Sequence, residues 1–97
     1  MDSPYIAAYD VTSDKERDRV AAVLEGYGVR VQFSVFQLRL TRSALGRLER
    51  ALEALELETG LVSIYRLHAG SAPRQFGAVP PPVVAQAGDE KAYAWVV

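Results

Sequence analysis

The twelve-residue run VRVQFSVFQLRL, at positions 29–40, constrains the fold more than any other segment, because it contains neither glycine nor proline. As one strand it would extend about 40 Å at ~3.3 Å per residue, whereas strands usually contain only ~5–6 residues. The run therefore predicts two strands joined by a sharp turn near residues 32–35, although a single bent strand would give the same pattern.

Apolar and polar residues alternate along this run, and the alternation changes phase at residues 34–35. Such a change implies a bulge or a tight reversal, because side chains repeat along a strand with a period of two. In the first half we expect the apolar set to face the core and the polar set to face outward, available to a ligand. The apolar set is Val29, Val31 and Phe33, and the polar set is Arg30, Gln32 and Ser34.

The segment before this run predicts one strand and one helix. Residues 5–9 have strand character, and the strand is expected to end at Asp10. Ser13 and Glu16 have the spacing of a capping box, which predicts the start of a helix directly afterwards. Gly28 is expected to end that helix in a left-handed conformation.

The segment after the run predicts a second helix and a fourth strand. Thr41 is a suitable N-cap, and Gly60 is expected to close the helix. The core stripe of this helix consists of Leu45, Leu48, Leu52 and Leu55. With a last strand at residues 61–67, the order of elements predicts an α+β fold, a ferredoxin-like βαββαβ sandwich.

The 97 residues are expected to form one domain, with the ferredoxin-like core at residues 1–68. Residues 69–82 are rich in alanine, glycine and proline, which predicts a semi-rigid connector. Residues 83–97 contain two further apolar runs, and we expect a C-terminal strand segment that pairs with a free sheet edge. That edge belongs either to the same subunit or to the second subunit of a homodimer.

The composition excludes several kinds of site. With no cysteine and a single histidine, His68, the chain has no disulfide or thiolate metal site and no easily built histidine-rich zinc site. The net charge of −1 does not by itself indicate a nucleic-acid partner. We expect a cytoplasmic protein without a membrane partner, because no run is long enough for a membrane helix and no signal peptide is recognised.

Three segments resemble the second core CRISPR-associated protein family: YIAAYDV near the N-terminus, RDRVAAVLEGYG in the first helix, and VRVQFSVFQ directly after it. The similarity extends over residues 5–65 and is most specific between Tyr27 and Phe36. It implies a ferredoxin-like homodimer whose C-terminal segments join the partner's sheet. It also implies a metal-dependent endonuclease acting on RNA or double-stranded DNA, or a catalytically silent scaffold that bridges dimers of the CRISPR spacer integrase.

In this family the aspartate that ends the first strand holds a divalent metal between the subunits, and the matching residue is Asp10. Mg²⁺ usually takes one or two protein carboxylates together with water and phosphate oxygens. Two copies of Asp10 beside a two-fold axis would supply both carboxylates. We therefore expect Asp10 to be catalytic and to bind Mg²⁺ or Mn²⁺, which would activate a water molecule. Without the resemblance, a strand-end aspartate that caps the following loop would be the simpler interpretation.

Five polar residues are candidate nucleic-acid contacts: Arg17, Arg19, Arg30, Gln32 and Ser34. Arg30 is favoured because it lies on the predicted outward side of a strand, where arginine can position a phosphate. Arg17 and Arg19 lie on a helix among acidic residues and could form only weak surface ion pairs.

Two further positions bear on the site, and one alternative function stays open. Core packing is the favoured role of Phe36, as for most aromatics on an apolar face, and the alternatives are a contact at a dimer interface or stacking on a base. Gln37 stands where the family commonly has glutamate, so a second acidic ligand is missing there. Without the resemblance, a small-molecule-sensing regulatory domain would suit the fold equally well, since fold does not dictate function.

Overall fold

The computed structural model describes residues 1–68 and 74–78. These residues form six elements in the predicted order: β1 (Ser3–Val11), α1 (Asp14–Glu25), β2 (Gly28–Gln32), β3 (Val35–Leu40), α2 (Arg42–Glu53) and β4 (Gly60–Arg66). The four strands form one antiparallel sheet in the order β2-β3-β1-β4, which confirms the ferredoxin-like fold. Residues 74–78 contain neither helix nor strand, and the predicted C-terminal strand segment lies outside the described residues. Within the described ranges, no helix is both long and apolar enough to cross a bilayer.

Both helices pack on one face of the sheet, and the core lies between them and the strands. On β1 the alternate residues Tyr5, Ala7, Tyr9 and Val11 are buried. Val20 and Leu24 of α1 and Leu48 of α2 belong to the same core cluster. Leu45 and Leu52 of the predicted stripe pack partly buried against this cluster, and so does Leu55, although it lies beyond the end of α2 at Glu53. The opposite face of the sheet carries no helix of the described chain, and we call it the open face.

The run at positions 29–40 is two strands, as predicted. Residues 33–34 form the turn, and Gln32 pairs with Val35 across it. Arg30 pairs with Phe36, so Val31 is an extra residue on β2 that forms a bulge. The change of phase in the sequence therefore has both of its possible causes, a reversal of the chain and an inserted residue.

The register of β2 with β3 differs from the predicted orientation of β2. Residues directly opposite each other in an antiparallel pair lie on the same face of the sheet. Val29 pairs with Gln37 and lies on the open face, whereas Arg30 pairs with the core residue Phe36 and lies on the helix-bearing side. Phe33, predicted to face the core, is 73% exposed at the turn. Gln32 pairs with Val35, which pairs with Ala8 on the open face, so Arg30 and Gln32 lie on opposite faces and not on one shared face as predicted, although both are exposed.

Two glycines have different roles from those predicted. The cap of α1 is Gly26 with φ −76°, so Gly28 does not end the helix in a left-handed conformation. It begins β2, where a Cβ atom would lie 2.5 Å from the Leu38 side chain. Likewise α2 ends at Glu53, and Gly60 begins β4 instead of closing the helix. Both glycines are required because the neighbouring strand approaches closely.

The capping box of α1 forms only in part. The Ser13 hydroxyl accepts a hydrogen bond from the Glu16 backbone N–H at 3.2 Å, as predicted. The Glu16 carboxylate does not return to Ser13. It accepts hydrogen bonds from the backbone N–H groups of Glu58 and Thr59, both at 2.9 Å, and from the Thr59 hydroxyl. Glu16 thus attaches the loop before β4 to the start of α1.

Substitution of Glu16 by glutamine is expected to lower the melting temperature by several degrees at neutral pH. The Thr59 hydroxyl, followed by the Glu58 backbone N–H, holds the pKa of Glu16 below its usual value, although burial opposes this effect. A lowered folded-state pKa stabilises the protein above the ordinary glutamate pKa of about 4.3, and the stabilisation is lost as the pH falls through the folded-state value. Circular dichroism melts should therefore show wild type and Glu16→Gln converging below that pH. The exposed Glu25→Gln is the control, and a gap that is independent of pH would contradict the prediction.

Candidate functional site

Asp10 lies one residue before the end of β1 and is exposed. It pairs with Leu61 of β4, and both residues lie on the open face together with Ile6 and Ala8. The strand continues to Val11, so Asp10 is within the sheet and not in the loop that follows. Its carboxylate is therefore positioned by backbone pairing to β4.

Within residues 1–68 and 74–78, Asp10 does not belong to a cluster of metal ligands. The described residues contain no group of three or more His, Asp or Glu side chains that could hold a metal ion. A metal bound at Asp10 would therefore need ligands from water, from a phosphodiester or from another subunit. The sharing of a cation between two copies of Asp10 stays a prediction.

The open face is apolar around Asp10. Leu61 is 60% exposed and Tyr65, which pairs with Ile6, is 57% exposed. Gln37 is fully buried on this side of β3, yet neither polar atom of its amide has a hydrogen-bond partner in the described structure. A buried polar group without a partner costs about 1–3 kcal/mol. The face thus has both exposed apolar area and an unsatisfied amide.

Arg17 and Arg19 are engaged within the chain. Arg17 contacts the Asp14 carboxylate and donates to the backbone carbonyls of Val11 and Thr12 at 2.9 and 2.8 Å. Arg19 lies 3.9 Å from the Glu16 carboxylate and its side chain is half exposed. Arg17 therefore helps to hold the loop after β1, whereas Arg19 keeps more of its surface open to solvent.

The other predicted contacts gather around the β2–β3 turn. The guanidinium carbon of Arg30 lies 5.3 Å from the centroid of the Phe36 ring, and one of its nitrogens donates to the Phe33 carbonyl at 3.3 Å. Gln32 is exposed and Ser34 is half-buried beside it. The Tyr9 backbone N–H donates to the Ser34 carbonyl at 3.0 Å, which places this turn at the same end of the sheet as Asp10.

Phe36 packs in the core, which is the role favoured for it, and not at an interface or on a base. It is fully buried on the helix-bearing side, with its ring centroid 6.3 Å from that of Tyr9. Its ring has no free face for a base and no surface for a second subunit, so it is a core residue. The exposed aromatic at this end of the sheet is Phe33, which sequence analysis assigned to the core. The usable signal was a large aromatic between Gln32 and Ser34, at a position where turns favour small or polar residues.

The fold and the site together define a class of protein: a ferredoxin-like domain with one exposed aspartate on the open face and arginines at the same end of the sheet. The model of the family "CRISPR associated protein Cas2" matches residues 3–74. The chain therefore belongs to the Cas2 family, which confirms the resemblance found in the sequence.

Individual relatives agree with this assignment. The chain is 44% identical over 62 residues to "CRISPR-associated endoribonuclease Cas2 4" of Rhodospirillum rubrum, covering 63% of this chain and 50% of the relative. It is 43% identical over 63 residues to "CRISPR-associated endoribonuclease Cas2" of Thermus thermophilus, covering 64% and 67%. The crystal structure of the hypothetical protein TT1823 from Thermus thermophilus has a TM-score of 0.75 at 32% identity and covers 86% of this chain and all of the other. The match thus spans half the length of the R. rubrum relative.

Proposed function

We propose that this protein is a Mg²⁺-dependent endonuclease of CRISPR spacer acquisition that cleaves phosphodiester bonds in single-stranded RNA or double-stranded DNA. The observation that carries the proposal is the exposed Asp10 carboxylate on the open face of a Cas2-family chain. The relatives named as endoribonucleases support the reaction class. Membership of the family also supports the spacer integrase as a partner.

The proposed active form is a homodimer joined through the open face. Exposed Leu61 and Tyr65 supply apolar area that a second copy would cover. A two-fold axis through this face would bring together the carboxylates of both Asp10 residues.

The donors present fit Mg²⁺ better than a softer metal. A carboxylate from each subunit, completed by water and phosphate oxygens, is a typical Mg²⁺ environment, and Mn²⁺ accepts the same ligands. When bound, the ion would lower the pKa of a coordinated water and polarise the phosphodiester. Asp10 would hold the cation, while Arg30, Arg19, Gln32 and Ser34 would position the phosphate backbone. Arg17 would act mainly by fixing the carbonyls of Val11 and Thr12.

Cleavage of labelled single-stranded RNA and duplex DNA by the purified protein tests this function. Each substrate is incubated with Mg²⁺, with Mn²⁺ or with EDTA, and sedimentation establishes the oligomeric state in the same buffers. We expect cleavage of at least one substrate by a dimer, lost on chelation. Cleavage that persists in EDTA, or a monomer with full activity, would contradict the proposal.

A second candidate function is the silent scaffold that bridges integrase dimers. It is favoured by the absence, among the described residues, of any group of three or more possible metal ligands, since a scaffold needs no complete metal site. Spacer acquisition in cells separates the two functions. Acquisition that survives Asp10→Asn would favour the scaffold. The family assignment leaves the regulatory-domain alternative without an observation in its favour.

Arg30→Gln is expected to weaken nucleic-acid binding in either case. Each phosphate contact contributes about 0.7–0.9 to the slope of log affinity against log salt concentration, so the slope should fall by that amount per subunit. The control is Arg66→Gln, because Arg66 is exposed on β4 and pairs with Tyr5, at the end of β1 remote from Asp10. Salt titrations of binding, measured in EDTA, should separate the two variants. Equal slopes for Arg30→Gln and wild type would show that Arg30 does not contact a phosphate.

A further inference from the structure

At the tip of the β2–β3 hairpin, the large apolar side chain of Phe33 does not pack in the core. Phe33 is 73% exposed, although it lies in the turn between two paired strands. Two-residue hairpin turns favour glycine, asparagine and aspartate, because the preferred types need positive φ. Neither Phe33 nor Ser34 has positive φ, and the bulge at Val31 adjusts the strand twist instead. Neither the turn geometry nor the core explains a phenylalanine here.

The backbone beneath Phe33 is held in place. The Phe33 carbonyl accepts a hydrogen bond from the Tyr9 hydroxyl at 3.3 Å and another from Arg30 at 3.3 Å. The Tyr9 backbone N–H donates a hydrogen bond to the Ser34 carbonyl at 3.0 Å. An exposed ring on a fixed backbone loses little conformational entropy when it binds a flat partner.

A cation is bound to the backbone of the same turn, because Arg30 donates to the Phe33 carbonyl. Arg30 is directed by its contact with Phe36 and by its hydrogen bond to the Phe33 carbonyl. A guanidinium group has five N–H donors, so most of them are free to bind a phosphate. An exposed aromatic ring and an arginine at one hairpin tip form the combination with which proteins bind unpaired nucleotides, stacking the base and contacting the backbone.

We infer that the tip of the β2–β3 hairpin is a base-stacking site, in which Phe33 stacks on an unpaired nucleobase and Arg30 binds an adjacent phosphate. The turn is at the Asp10 end of the sheet, so the stacked nucleotide would lie near the phosphodiester to be cleaved. This inference rests on the proposed function and specifies its substrate: a single-stranded segment. Bases in an intact duplex are already stacked and paired, and they do not offer a face to Phe33.

Binding measured in EDTA tests the inference without any cleavage. Fluorescence anisotropy compares a labelled twelve-nucleotide single strand with the blunt duplex of the same sequence. Phe33→Ala should weaken single-strand binding about tenfold to a hundredfold, the usual effect of removing one stacking aromatic. Duplex binding should stay close to wild type. Phe33→Trp should retain single-strand affinity, whereas Phe33→Leu, which is apolar but not aromatic, should not.

The chain offers a matched control. Phe76 is 86% exposed in the segment 74–78, and Phe76→Ala should leave binding unchanged. Three results would overturn the inference: an unchanged single-strand affinity of Phe33→Ala, an equal loss for single strand and duplex, or a restored affinity in Phe33→Leu. Conversion of the dimer to monomer by Phe33→Ala would also overturn it, because Phe33 would then be a protein contact. Failure of Mg²⁺-dependent cleavage would refute the nuclease and leave this binding measurement valid.

Discussion

Asp10→Asn is expected to reduce Mg²⁺-dependent cleavage by at least about a thousandfold. Asparagine keeps the size of the side chain but removes the charge that holds a hard cation. Stabilisation by a metal contributes several kcal/mol to phosphodiester cleavage, and each ~1.4 kcal/mol corresponds to a factor of ten in rate. The measurement is the initial rate of substrate cleavage over a range of Mg²⁺ concentrations. Asp18→Asn is the matched control, because Asp18 is an exposed aspartate on α1.

A mixed dimer tests whether the cation is shared. Wild-type and tagged Asp10→Asn chains are co-expressed, and the species containing one tag is purified. If one ion lies between two Asp10 carboxylates, the mixed dimer should also lose most of its activity. Half of the wild-type activity in the mixed dimer would mean that each subunit has an independent site, which contradicts the two-fold arrangement.

Gly60→Ala is expected to lower the melting temperature by ~10 °C or more. A Cβ atom on Gly60 would collide with the Asp10 carbonyl oxygen and would lie 2.6 Å from the Val11 Cα atom. Both obstacles are backbone atoms of β1, so neither can move aside without breaking the pairing of β4 with β1. Overpacking costs about 1–3 kcal/mol, and each kcal/mol shifts the melting temperature of a domain this size by about 4–8 °C. The same displacement would move Asp10.

Gly46→Ala is the matched control for this substitution. Gly46 lies inside α2, and a Cβ atom there would meet only the flexible end of Arg50 at 3.5 Å. Alanine is favoured over glycine in a helix by about 0.8–1.0 kcal/mol, so the melting temperature should rise. Thermal unfolding followed by circular dichroism compares the two variants directly. A Gly60→Ala protein that melts with the wild type would show that β4 can move away from Asp10 at little cost.

The candidate site was predictable in part. Asp10, Arg19 and Arg30 were selected from their residue types, their positions on the elements and the family resemblance, and all three are exposed. Phe33 was missed, because its assignment depended on which side of β2 faces the helices. Periodicity separates the two faces of a strand but does not say which face is buried when both carry apolar residues.

The elements of this protein follow from its sequence alone, because helices and strands are specified by residues a few positions apart. The N-caps Ser13 and Thr41, the stripe of α2 and the reversal near residues 32–35 all depend on such local patterns. The roles of residues that contact distant parts of the chain became known only from the tertiary structure. Glu16 binds Glu58 and Thr59, which lie 42 and 43 residues away. Gly60 is required because the backbone of β1 at Asp10 and Val11 lies close to it. The residues next to Gly60 in the sequence do not indicate this approach.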